Sequence, residues 1–338
     1  MIPRLASLPP ELFDEIISYF PTVPLNWYHD TAVGLPDSKY AERAKTLRAL
    51  AATCRGMRVV ALPRLWARLD ICFVPATAQA SWYKYVMHNL KRKAEGVQTL
   101  SDVMRGYVRT VTFTVTKVEA AEILPYIPKM LSLLVNVKTI QVTHCKIAGE
   151  FKKAIGDLCL PSVRTLVLPS AANALIFASP NVTHVRCAGG SGSAIIAAMQ
   201  DTKCEMLDGM IDWCADPRVV DRLVRYAPLL TTLEIRRPVN YGLGIMSQNT
   251  APADWAKAIP KLSGLKQLRT LTLTFPRRDQ VPTDLPIIKA AREVMRKSKL
   301  KGEKKLIIRR MEAPHYTNNP PHELDLLLSS KEESFRTA

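Results

Sequence analysis

Residues 163–168 read VRTLVL, and residues 268–273 read LRTLTL. Close variants of this six-residue pattern begin at positions 108, 137, 182 and 230. Because strand side chains alternate, the apolar fourth and sixth positions fall on one face of an extended strand, and the apolar first position anchors its start. A further unit, CEMLDG at 204, divides the longest gap between the segments. This spacing predicts repeats that each contribute one strand.

Helical stretches separate these segments. They are Glu150–Cys159, Ser193–Met199, Pro217–Tyr226 and Ala253–Lys261. Strands that alternate with helices favour a parallel sheet, and units of this size must stack to bury their faces. Leu69–Val74 and Lys305–Ile308 are candidate flanking strands. We therefore predict an α/β fold.

The repeat pattern resembles that of leucine-rich repeats, although the asparagine of well-formed repeats is absent. We therefore predict an irregular leucine-rich-repeat-like solenoid with a parallel sheet over residues 71–312. Residues 313–338 are interpreted as a C-terminal tail or helix.

The stretch LPPELFDEIISYF, residues 8–20, has the features of a short amphipathic helix. Pro10 suits a first helical turn, where its missing N–H costs nothing, and Glu11 favours the positive end of the helix dipole. The apolar residues at helical spacing form a broad apolar face, and we expect this face to pack against two other elements or partners at once. They are Leu12, Phe13, Ile16, Ile17 and Phe20.

A stretch without periodicity follows at 21–39, and its three prolines predict a loop. Helical spacing returns over Ala44–Cys54, and the chain continues as CRGMRVVALPRLWARLDI over Cys54–Ile71. These fragments, in this order, resemble an F-box, a motif of three short helices that binds the Skp-family adaptor of SCF ubiquitin ligases. Met57 stands where the family usually has an aromatic residue, and the 21–39 insertion lengthens the first connection.

The resemblance implies a substrate receptor without catalytic residues, metal or cofactors. It implies an F-box at 1–70 that binds the adaptor and, through it, a cullin, while the repeat domain binds a protein cargo. The residues implied to bind the adaptor are Leu8, Pro9, Glu11, Leu12, Ile16, Leu47, Leu50, Cys54, Pro63, Leu65 and Trp66. The alternative is that residues 8–69 are only a helical cap on the domain that follows.

The cargo is expected on the strand face that carries the third, fifth and seventh positions, which point away from the apolar face. Threonine fills the third position in five of the six segments, although its strand propensity alone could explain this. The candidate cargo-binding residues in this row are Thr112, Gln141, His184, Arg186, Glu234, Arg236 and Thr272.

The charge balance points to acidic partners. The 338 residues include 47 Lys/Arg and 30 Asp/Glu, a formal net charge of +17. Ten of the basic residues lie between Lys289 and Arg310, where a solvated helix face is the simplest interpretation. No aromatic residues interleave to stack on bases. A basic scaffold that binds nucleic acid or an anionic surface is nevertheless the alternative function.

Other candidate chemistry is sparse. The glycine-rich turn Gly189–Ser193 could cradle phosphate but lacks the Lys-Ser/Thr of a P-loop. His144 and Cys145 are adjacent on a predicted strand, so their side chains face opposite sides and cannot act as base and nucleophile. The histidines show no metal-ligand spacing. We therefore expect no enzyme activity.

The seven cysteines form no CxxC pair and lie mostly in apolar runs, which favours buried thiols in a reducing compartment. Acidic residues interrupt any apolar leader at the N-terminus, and no uncharged apolar stretch is long enough to span a membrane. We expect a cytoplasmic or nuclear protein.

Overall fold

The computed structural model describes residues 8–23, 39–74, 81–189, 192–211, 217–236, 256–276, 281–298, 300, 302–312 and 326–337. The chain forms two compact units, Met1–Val163 and Arg164–Ala338. This division lies within the predicted repeat domain rather than at residue 70. Just before residue 70 the chain runs from the third helix directly into the first strand, and the Ala67 carbonyl accepts a hydrogen bond from the Arg109 N–H at 2.9 Å.

The first unit combines helices with parallel strands. Its helices are α1 (Pro10–Ser18), α2 (Lys39–Thr53), α3 (Arg55–Trp66), α4 (Trp82–Thr99), α5 (Asp102–Tyr107), α6 (Ala120–Ile123), α7 (Tyr126–Leu133) and α8 (Ala148–Ile155). Its strands are β1 (Arg68–Asp70), β2 (Thr110–Thr114) and β3 (Thr139–His144), and they pair in chain order.

The second unit continues this alternation. Its helices are α9 (Ala174–Phe177), α10 (Ser193–Ala198), α11 (Pro217–Tyr226) and α12 (Val281–Lys297), with 3₁₀ helices at Ser170–Ala172 and Ile259–Gly264. Its strands are β4 (Thr165–Leu168), β5 (His184–Cys187), β6 (Met206–Ile211), β7 (Thr232–Arg236), β8 (Thr270–Pro276), β9 (Gly302–Glu312) and β10 (Leu326–Thr337). Strands β4 to β9 are parallel in chain order, and β10 pairs antiparallel with β9.

The strand register aligns equivalent positions of the sequence pattern. Third-position residues pair across strands, as Thr110 does with Thr139 and Thr232 with Thr270. The first-, fourth- and sixth-position residues of all six segments are at most 1% exposed. The predicted α/β fold with parallel strands is therefore confirmed, and its core lies on the face that the pattern indicates.

The unit at 204 also forms a strand, β6, with an irregularity that its glycine explains. The pairing of β6 with β7 shifts register between Leu207 and Met210. Gly209 lies within this shift with φ of 69°, a left-handed conformation that glycine adopts without the steric cost of a Cβ.

The C-terminal region differs from its sequence interpretation. The basic stretch is not one helix, because α12 ends at Lys297 and β9 begins at Gly302. Residues 326–337 form a strand rather than a tail or helix. The predicted flanking strand at Lys305–Ile308 lies within β9, where Leu306 is fully buried beside Leu271. Among the described residues, none of the helices has the length and apolar character needed to cross a membrane.

Candidate functional site

Helices α1, α2 and α3 form a bundle around one apolar core. Its buried members are Phe13, Ile17, Leu47, Ala51, Met57 and Ala61. Five partly buried residues surround them, namely Phe20, Leu50, Val60, Leu62 and Leu65. Met57 is one of the buried members and fills the core with a flexible side chain that adapts to irregular space.

A second side of α1 presents apolar side chains to solvent. Leu12, Ile16 and Tyr19 are 53%, 44% and 79% exposed. Their spacing of four and three residues places them on one side of the helix, and we call them the α1 stripe. The broad apolar face predicted from the sequence is therefore divided, with Phe13 and Ile17 in the core and the stripe uncovered. An aligned apolar patch of this kind is typical of an interaction surface.

Arg64 fixes α1 to α3 and so holds the stripe in place. Its guanidinium donates to both carboxylate oxygens of Asp14 at 2.5 and 2.8 Å. The same group lies over the Phe13 ring, 5.1 Å from its centre. The hydrogen bond from Arg64 lowers the pKa of Asp14, although the exposure of this carboxylate lets solvent screen the pair.

A cleft of about 620 Å³ lies beside the bundle, at the junction of α2 and α3. Tyr107 of α5 closes one side, and the exposed Val59 contributes to the apolar lining. The remaining lining residues are Ala51, Ala52, Cys54, Arg55, Arg58, Leu62 and Pro63. Cys54 is the N-cap of α3, and its sulfur accepts from the Met57 N–H at 3.5 Å.

The residues implied to bind the adaptor fall into three groups. Pro9, Glu11, Leu12, Ile16 and Cys54 are exposed. The half-buried members are Leu8, Leu50, Pro63, Leu65 and Trp66. Leu47 is fully buried, so in the isolated chain it supports the bundle and does not reach the surface.

In the second unit, charged residues of the strands pair both between neighbouring strands and within one strand. Arg186 of β5 donates to both oxygens of Asp208 on β6 at 2.7 and 2.5 Å. His184 Nε2 lies 3.1 Å from the same carboxylate. On β7, Arg236 donates to Glu234 at 3.1 Å. We call these five residues the polar strand row.

The environment of Asp208 favours its charged form. Burial alone would raise the pKa of this carboxyl group. The hydrogen bonds from His184 and Arg186 outweigh that effect and lower the pKa to about 2. The Asp208 carboxylate therefore stays ionised throughout the neutral pH range.

The predicted cargo-binding residues are mostly covered in the isolated chain. Thr112, Gln141, Glu234, Arg236 and Thr272 are buried, whereas His184 and Arg186 are half-buried. Several bond to one another: in the first unit Thr112 Oγ1 lies 3.5 Å from Gln141 Oε1. The cargo-binding role of these residues stays a prediction, and the contacts show that they also stabilise their own sheet.

Asp208 was not among the candidate residues, yet it bonds to two of them, His184 and Arg186. A signal for it was present in the sequence. Asp208 is the fifth residue of CEMLDG, and fifth positions fall on the same face as the candidate residues. The weak match of that unit to the pattern is the reason it was missed.

Internal contacts engage much of the basic stretch Lys289–Arg310. The pairs are Arg292 with Glu333 at 2.6 Å, Arg296 and Lys297 with Glu293 at 3.2 and 3.9 Å, Lys305 with Glu332 at 2.7 Å, and Arg309 with Glu234 at 3.9 Å. Lys304 is buried, and its Nζ donates to the Ser298 carbonyl at 2.8 Å. Lys299 and Lys301 lie outside the described residues. Charge held in such pairs is less available to an external anion.

The remaining chemical candidates lie in structural environments. His144 is half-buried against Trp82, 5.7 Å between ring centres. Burial raises the pKa of the Cys145 and Cys187 thiols to about 11 and that of Cys204 to about 12, so these thiols are weak nucleophiles. The glycine-rich turn lies partly outside the described residues, at 190 and 191. Within the described ranges no group of His, Cys, Asp and Glu could hold a metal ion.

Comparison with known proteins gives no further assignment. The sequence matches no protein-family model, and no curated protein matches it significantly.

Proposed function

We propose that this chain is the substrate-receptor subunit of an SCF-type ubiquitin ligase. In this proposal the helices α1 to α3 bind a Skp-family adaptor and, through it, a cullin. The observation that carries the proposal is the α1 stripe, an apolar surface left uncovered beside a core that is already filled. An apolar surface next to a complete core has no further use within the bundle and suits a helical partner.

The strand-bearing part would bind a protein cargo as an irregular leucine-rich-repeat-like solenoid. The chain itself would perform no chemistry, because holding cargo near a ubiquitin-charged enzyme raises the effective concentration of the target lysines. His184 and Arg186 keep partial exposure and are the predicted cargo residues best placed for contact. A reducing compartment, cytoplasm or nucleus, fits the buried thiols.

The direct test is binding of the full chain to a purified Skp-type adaptor. We expect Leu12→Asp and Ile16→Asp each to weaken binding by about 2 kcal/mol or more, because interface energy concentrates in a few apolar anchors. Both residues are exposed, so the variants should fold, which circular dichroism can verify. Val135→Asp is the matched control, because Val135 is 67% exposed and lies outside the bundle.

Cysteine footprinting gives an independent readout. Cys54 and Cys159 are both exposed, but only Cys54 lies in the bundle. We expect the adaptor to protect Cys54 from alkylation while Cys159 reacts at its original rate. Full-strength binding by the Leu12→Asp variant, or equal reactivity of Cys54 with and without adaptor, would refute the proposed docking surface.

A further inference from the structure

The cleft at the junction of α2 and α3 carries two basic side chains, and none of the described residues that line it is acidic. These side chains are Arg55 and Arg58, and both are exposed. The Nε of Arg58 donates to the Ala51 carbonyl at 3.3 Å. Within the described ranges, neither guanidinium group has an ion-pair partner. The cleft is therefore a positively charged recess that no described carboxylate neutralises.

Both arginines lie at the beginning of α3, where a helix favours negative rather than positive charge. Cys54 is the N-cap, Arg55 is the first helical residue, and the first turn contains no acidic residue. The partial positive charge at the N-terminal end of a helix disfavours cationic side chains placed there. The arrangement therefore lowers the stability of the isolated chain, and an anion bound in the cleft would offset that loss.

The rest of the lining is largely apolar, so a purely ionic ligand would leave part of the cleft unfilled. Val59 is 69% exposed although it is a large apolar residue. Leu62 and Pro63 lie in the same lining, and Tyr107 of α5 adds an aromatic ring. A ligand with an apolar side chain next to its negative charge would cover these residues while the arginines bind the charge.

We propose that this cleft binds a short acidic segment of a partner protein that also carries an apolar side chain. Guanidinium groups match carboxylates with paired donors. The volume of about 620 Å³ suits a few side chains. Because Cys54, Arg55 and Val59 are exposed, the occupant would stay in contact with water, as an extended peptide does. None of the described lining residues belongs to α1, so the proposal does not rest on binding of an adaptor to the α1 stripe.

The experiment measures alkylation of Cys54 by iodoacetamide, a neutral reagent, in the full chain at constant ionic strength. The probe is the end-blocked synthetic peptide Glu-Glu-Leu-Glu-Glu at up to about 1 mM. We expect it to slow alkylation of Cys54, which lines the cleft, and to leave the exposed Cys159 unaffected. Lys-Lys-Leu-Lys-Lys reverses the charge, and Glu-Glu-Gly-Glu-Glu removes the apolar side chain. Each should protect Cys54 about tenfold more weakly.

Substitution of Arg55 distinguishes a binding role from a structural one. Arg55→Glu should weaken the protection by about tenfold or more, because a charged hydrogen-bond donor is lost and a like charge is introduced. It should melt no lower than the parent, because glutamate suits the first turn of a helix. Arg48→Glu is the matched control, since it makes the same charge change at an exposed residue of α2 outside the cleft lining. It should leave the protection intact.

Several results would overturn the proposal. They are unchanged alkylation of Cys54 with Glu-Glu-Leu-Glu-Glu, equal protection by all three peptides, and equal loss of protection in Arg55→Glu and Arg48→Glu. A lower melting temperature of Arg55→Glu would assign this arginine to the fold. Protection by a single-stranded oligonucleotide without protection by the acidic peptide would assign the cleft to nucleic acid. No adaptor is present in these measurements, so their outcome is independent of whether the chain binds one.

Discussion

Asp208 shows how a single carboxylate can hold two strands together. Its bonds to Arg186 and His184 lower its pKa from 3.8 to about 2, and each unit of such a shift corresponds to about 1.4 kcal/mol. We expect Asp208→Asn to cost about 2–3 kcal/mol of unfolding free energy at pH 7, measured by urea denaturation. Asp221→Asn is the control: Asp221 pairs with Lys261 at 2.7 Å but is 52% exposed, so its loss should cost under about 1 kcal/mol.

The same pair predicts a pH dependence. Since the folded pKa of Asp208 lies below its ordinary value, the carboxylate stabilises the fold fully above about pH 4. This contribution should disappear as the pH falls towards about 2. The parent and Asp208→Asn should therefore converge in stability over that window. A constant difference down to pH 2 would contradict the assigned pairing.

Single residues also mark where sequence reasoning was sufficient and where it was not. Leu166 and Leu271 could be placed in the core, because a strand repeat fixes which positions point inward, and both are fully buried. The burial of Thr112 and Gln141 could not be predicted in the same way. Alternation gives the side of the sheet on which a residue lies, but not what covers that side.

At the scale of elements, α11 and the 3₁₀ helix Ile259–Gly264 approach too closely to admit a side chain. A Cβ at position 264 would lie 2.5 Å from Cγ1 of Val224. We expect Gly264→Ala to destabilise the fold by about 1–3 kcal/mol, as overpacking does. Adding Val224→Ala should recover part of that loss in the double variant, because it removes the clashing methyl groups.

Gly96 supplies the matched control for this test. It lies within α4, and a Cβ there would meet no atom within 4 Å. Gly96→Ala should therefore stabilise the protein by about 0.5–1 kcal/mol, through the higher helix propensity of alanine. Chemical denaturation of the three variants measures all of these differences. Equal changes in unfolding free energy for Gly264→Ala and Gly96→Ala would show that the close contact with Val224 does not destabilise the Gly264→Ala variant.

Elements were predictable where a local period was strong. The strands β2 to β8 follow from the repeated six-residue pattern, and α1 follows from its apolar stripe and first-turn proline. The basic stretch was interpreted as a helix face, although its segment Lys305–Ile308 was also a candidate strand. That segment lies within β9, in which Lys304 and Leu306 are buried. For the α1 stripe, the sequence indicated only that the apolar face of this helix is unusually broad. A sequence alone cannot show which of those apolar residues the folded protein leaves uncovered.

At the scale of the whole molecule, β10 is the last strand of the sheet in the second unit, and it forms ion pairs with basic residues of two other elements. Glu333 pairs with Arg292 of α12, and Glu332 pairs with Lys305 of β9. Ending the chain after residue 325 should lower the melting temperature by about 5 °C or more. It should also promote aggregation, because β9 would become an uncovered edge strand.

Scanning calorimetry and light scattering can follow this truncation. Ending the chain after Arg336 is the control, since it removes only Thr337 and Ala338 and should shift the transition by about 1 °C at most. If the longer truncation has the same melting temperature as the parent, β10 contributes nothing to the stability of the fold.

The chain-order pairing of strands bears on how the protein is made. Within the second unit each strand from β5 to β10 pairs with the strand that precedes it in the chain. A ribosome delivers the chain from its N-terminus, so each new strand meets a partner that has already emerged. None of these six strands has to wait for a distant segment that is still to be translated. Synthesis and growth of this sheet can therefore advance in the same direction, and the antiparallel β10 arrives last.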